Sequence, residues 1–102
     1  MTQHRQGDSE IIINGEAKIL RLTLGALAAL EETLGEGDFA RLQKKLETPR
    51  VGDLLLILQA LLQGGGARLS IEALKGADID LADAARAIAE AFRTLKGGDD
   101  GA

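Results

Sequence analysis

Cysteine, tryptophan and tyrosine are missing from the 102 residues, and there is one proline (Pro49), one histidine (His4) and only two aromatic residues, Phe39 and Phe92. Without cysteine the chain can form no disulfide framework, thiolate zinc site or cysteine nucleophile. A single histidine, set in the polar opening MTQHRQGDSE, cannot by itself anchor a catalytic triad. That opening has no apolar segment of secretory type, and no run approaches the roughly 18 apolar residues needed to cross a bilayer. No membrane partner is expected. Few aromatics leave the core to leucine, isoleucine and alanine, which supply most of a 45% hydrophobic fraction. The length suits one domain with a thin aliphatic core.

Charge points the same way. Sixteen acidic against twelve basic residues give a net charge of −4, which disfavours a phosphate-backbone partner. The one basic cluster, Arg41, Lys44, Lys45 and Arg50, is interrupted by Glu47. It reads first as a solvated helix face, and second as the footprint of a small nucleic-acid-binding regulator.

What is present is a hairpin and a set of helices. In EIIINGEAKILRL two strand-forming runs flank Asn14-Gly15, residues that tolerate the positive φ of a type I′ turn. The expected register sets Ile13 against Glu16, Ile12 against Ala17 and Glu10 against Ile19. An isolated hairpin is barely stable in water, so a helix must cover it, and LTLGALAALEETLG at 22–35 is the expected cover. Thr23 serves as its N-cap, Leu22 and Leu27 as a hydrophobic staple, and Leu24, Leu27, Leu30 and Leu34 as its apolar stripe. Gly25 with its alanines would permit close packing on the hairpin, and Gly35 would close the helix in a left-handed conformation.

Asp38 is expected to cap a second, basic amphipathic helix with Phe39, Leu42 and Leu46 on its apolar side, ended or redirected by Pro49. VGDLLLILQALLQ then forms a helix with almost no polar face, which is either central or shared with another chain. Gly64–Gly66 read as a flexible joint, Ser70 as the cap of a short turn, and Asp80 with Asp83 as a near capping box on the last helix. Leu81, Ala85, Ile88, Phe92 and Leu95 space out a seam suited to packing within a bundle or to a foreign helix. The fold class is α+β, mostly α: an N-terminal β-hairpin followed by three to four packed helices. Residues 9–96 form the domain between disordered tails at 1–8 and 97–102.

No catalytic pattern emerges. Asp78, Asp80 and Asp83 fail the calcium-loop template, because its fifth, sixth and twelfth positions fall on Ala82, Asp83 and Ala89. GGGARL lacks the lysine and hydroxyl of a phosphate loop. The protein is expected to be no enzyme and to hold no cofactor or metal.

The order IIINGEAKILRLTLGALAALEETLG, a basic amphipathic helix, DLLLILQALLQGGG and an alanine-rich last helix resembles the small tail proteins of gene transfer agents and prophages. The resemblance runs over about residues 8–96 and departs at Ile71–Asp80, whose structure it leaves open. It implies a tail-morphogenesis role in the bacterial cytoplasm, as a tail assembly chaperone that binds the tape measure protein or as a structural tube or tube-terminator component. Other tail proteins and a homo-oligomer are further partners it allows. The single strand region favours the chaperone, since a tube subunit needs an extended sheet. Its expected partner surface is Leu54, Leu55, Leu58, Leu61 and Leu62 on the third helix with Ile88, Phe92 and Leu95 on the last, accepting an amphipathic helix.

Overall fold

A computed structural model describes residues 8–93. Two antiparallel strands, β1 (Asp8–Ile13) and β2 (Glu16–Arg21), precede α1 (Leu24–Leu34), α2 (Phe39–Glu47), α3 (Val51–Gly64), α4 (Ile71–Lys75) and α5 (Leu81–Ala91). The α+β architecture matches the expectation. Asp8, assigned from sequence to the first tail, starts β1; residues 1–7, 97–102 and Leu95 lie outside the described residues.

The hairpin register is the expected one. Asn14 and Gly15 take φ of +54° and +81°, as a type I′ turn requires. Asp8 and Arg21 close the open end through two charge-assisted hydrogen bonds of 2.8 and 3.0 Å. The bond to Asp8 raises the Arg21 guanidinium pKa above its ordinary value. Ser9, Ile11, Ile13 and Leu20 are buried on the inner face.

The cover of that face differs from the expectation. β1 lies against α5 and β2 against α3, while α1 packs on α3 and α2. Leu24 is 85% exposed, and the stripe of α1 is Ala26, Leu30 and Leu34 with Leu27 half-buried. Thr23 sets this register: its hydroxyl accepts from the Ala26 amide at 3.0 Å, making Leu24 the first helical residue, where it projects past the end of the core. Gly25 has only open space beside it apart from Thr23, so the close packing expected there does not occur.

Close approach occurs instead at Gly64 and Gly65. A β-carbon on Gly64 would overlap the Arg21 carbonyl, and one on Gly65 the Ile19 carbonyl. The glycines expected to form a loose joint are therefore the points where α3 meets the backbone of β2. Gly66, at φ +99°, makes the turn out of the helix. The end of α1 is also built differently: Gly35 keeps φ at −101°, and the left-handed residues are Glu36 and Gly37. Gly35 is needed for space, since a β-carbon there would press on the Asp38 carbonyl at 2.5 Å.

The remaining caps follow the sequence. The Asp38 carboxylate accepts from the Ala40 amide, Ser70 from Ala73, and Asp80 from Ala82 and Asp83. Asp83 does not complete the capping box; it binds the Arg86 guanidinium at 2.8 Å. The seam of α5 is shifted by one position. Ala84, Ala87, Ile88 and Ala91 are buried, whereas Leu81 is 62% exposed and Ala85 faces solvent. Alanines let α5 lie close on β1, where the Ser9 hydroxyl donates to the Ala87 carbonyl at 2.6 Å.

The segment that the resemblance left open is α4 and the loop to α5. It is tied to the hairpin turn by a reciprocal pair of bonds: the Asn14 amide donates to the Asp78 carbonyl at 3.0 Å, and the Asn14 side-chain oxygen accepts from the Asp78 amide at 2.7 Å.

Candidate functional site

Of the expected partner surface, the structure keeps part inside. Leu58, Leu61, Leu62 and Ile88 are buried, together with Ile57. Leu54, Leu55 and Phe92 are half-buried and pack against the same core. One face of α3 thus serves α1 and another serves β2, which is how a helix apolar nearly all round finds its neighbours within the chain.

An apolar groove nevertheless remains between α2 and α5, floored by α3. Leu46, Ile57, Ile88, Ala89 and Phe92 line it, with Gln43 and Glu47 at the rim, and its volume is about 430 Å³. Phe92 ends α5 as its C-cap, placing one of the two aromatic rings at the groove. Ile88 and Phe92, part of the partner surface expected from sequence, both line this groove, whereas Leu46 is expected from its spacing only as a core position of α2. No local signal showed that α2 would stand back from α5; that follows from how α1 carries it.

On the other flank of α2 a second groove, also about 430 Å³, collects the basic cluster: Arg41, Lys44, Lys45 and Arg50 line it with Leu34, Glu36, Thr48 and Asp53. Arg41 is paired with Glu36 and lies 3.9 Å from Asp38. The Asp53 carboxylate accepts from the Arg50 amide at 3.0 Å at the start of α3.

No cluster of metal-ligating side chains occurs among the described residues, and the raised guanidinium pKa values of Arg21 and Arg86, each from a hydrogen-bonded aspartate, keep already cationic groups charged. Among the described residues no helix is long and apolar enough to cross a membrane.

The arrangement is one of surfaces, and comparison with known families fits it. The sequence profile of the family described as phage tail tube protein, GTA-gp10, matches residues 6–98. The chain belongs to this family. Membership assigns a phage-tail role, structural or in morphogenesis, and the family described is of structural rather than enzymatic proteins. No curated protein and no solved structure matches the chain.

Proposed function

We propose that this member of the tail family acts in tail assembly as a chaperone, holding an amphipathic helix of the tape measure protein in the groove between α2 and α5. The observation that carries this reading is the open apolar groove of Leu46, Ile57, Ile88, Ala89 and Phe92 on a chain whose only sheet among the described residues is a two-stranded hairpin. A helix laid in a groove needs apolar anchors at helical spacing and few directional contacts, and aliphatic walls with a single ring accept varied sequences. The bacterial cytoplasm, where tails are put together, is the place of action in this reading.

Co-expression with the tape measure protein encoded nearby tests it. Wild-type protein should keep the tape measure soluble, and the double variant Leu46→Ser, Phe92→Ser should not, with circular dichroism verifying that the variant is folded. Equal insolubility of the tape measure with and without the wild-type protein ends the proposal.

The family's description as tube protein favours a second reading, a structural subunit retained in the particle. Mass spectrometry of purified particles separates the two. Stoichiometric presence supports the subunit, and absence supports the chaperone.

A further inference from the structure

A chain of net charge −4 gathers four of its twelve basic residues along one groove, lined by the end of α1, by α2 and by the start of α3. Glu36 and Asp53 are the only carboxylates in that lining, so four cations face two anions. The ion pairs of the fold use one cation of the four. Arg41 is held by Glu36 and Asp38, whereas Lys44, Lys45 and Arg50 have no ion-pair partner among the described residues.

Helix electrostatics explains part of this placement. Lys44 and Lys45 stand in the last turn of α2, where the negative helix end favours cations. Arg50 stands at the opposite kind of end. It is the N-cap residue of α3, where the positive helix end disfavours a cation and where a guanidinium, having no acceptor, cannot cap the free amides. Neither the caps nor the ion pairs of the fold account for a cation there, and a ligand carrying negative charge does.

The lining also selects among anions. It holds no aromatic side chain on which a base could stack, and the net charge of −4 opposes the long polyanion of a nucleic acid. A short acidic peptide meets neither obstacle. Its carboxylates can pair with separate cations, and the Thr48 hydroxyl in the lining can serve its main chain. Leu34, the one apolar residue of the lining, is buried, so recognition depends on charge.

We propose that the basic groove lined by α2 and α3 is a docking site for an acidic peptide segment of a partner protein, with Lys44, Lys45 and Arg50 as its anchors. The apolar groove lies on the other flank of α2 and shares no lining residue with it. The inference therefore does not rest on the chaperone reading.

Fluorescence anisotropy of a labelled Glu-rich peptide with the whole protein tests it, with circular dichroism to verify folding. The peptide should bind at low salt, and its counterpart with Gln at every Glu position should not. Affinity should fall at least about tenfold between roughly 0.1 and 1 M salt, where the screening length shrinks from about 10 to 3 Å. Lys44→Glu with Lys45→Glu should weaken binding at least about tenfold. Lys18→Glu with Lys75→Glu changes the net charge equally at residues outside the groove and should weaken it far less. Leu46→Ser with Phe92→Ser, which alters the apolar groove, should bind the peptide like wild type.

No binding of the Glu-rich peptide at low salt, equal losses in the two charge-reversed variants, or tighter binding of a single-stranded oligonucleotide of the same charge would each overturn the proposal. So would wild-type self-association that Lys44→Glu with Lys45→Glu abolishes, which would give the groove to a second copy. Peptide affinity that rises about tenfold in Asp99→Asn with Asp100→Asn would overturn it in favour of the chain's own acidic segment. Should charge reversal unfold the chain, Lys44→Gln with Lys45→Gln replaces it, with the same outcomes required.

Discussion

The half of the molecule built from the hairpin, α3 and α5 and the part carried by α2 use the same residue types to opposite ends. In the first, Ser9, Ile11, Leu20, Leu61, Leu62, Ala87 and Ala91 are at most 1% exposed, and two glycines bring helix against strand backbone. In the second, Leu42 alone of α2 is buried, Phe39 and Leu46 are half-buried, and a groove opens on each flank. Buried contacts set local stability, and elements with few of them open most easily. The contrast implies that the first half holds the fold and that the second is available for partners.

The largest effect expected of a single change comes from the tight half. Leu61→Ala should cost about 2–5 kcal/mol through lost transfer energy and a cavity, read as the midpoint of denaturant unfolding. Leu46→Ala, the same deletion beside the open groove, should cost clearly less; equal costs would erase the distinction.

Gly65→Ala comes next, at about 1–3 kcal/mol from overpacking. It forces a methyl into the Ile19 carbonyl and should raise hydrogen exchange in β2 and at the end of α3 more than in α2. Gly25→Ala is its control: the added methyl meets open space, so the protein should gain up to about 1 kcal/mol of helix propensity.

Ser9→Ala should cost about 1 kcal/mol for the bond to Ala87, measured by thermal unfolding, and should loosen α5 from β1 while leaving α2 unchanged. The smallest effect is expected at the basic groove. Lys44→Ala and Lys45→Ala should stay within about 0.5 kcal/mol of wild type, yet their amides should exchange faster than those of α3.

The hairpin was legible to the residue because its turn needs positive φ at two adjacent positions, and Asn14-Gly15 supplies them. The caps at Thr23, Asp38, Ser70 and Asp80 were legible for a similar reason, each being a bond within three residues. The candidate site was half legible: Ile88 and Phe92 came from helical spacing, but Leu46 became a wall only through the placing of α2. The stripe of α1 departs from its leucine spacing at Leu24, and that of α5 at Leu81 and Ala85, while Leu30, Leu34 and Ile88 are buried as the spacing predicts. Leu24 and Leu81 stand outside, and alanines take the positions where helices must come close.

Sequence alone determined the elements, their caps, the hairpin register and the aliphatic character of the core, because each depends on neighbours along the chain. Tertiary structure decided which helices cover the hairpin, why Gly64 and Gly65 are glycines and where the grooves open. These depend on distances between segments far apart in sequence, such as Asn14 and Asp78 or Ser9 and Ala87, which no local pattern encodes.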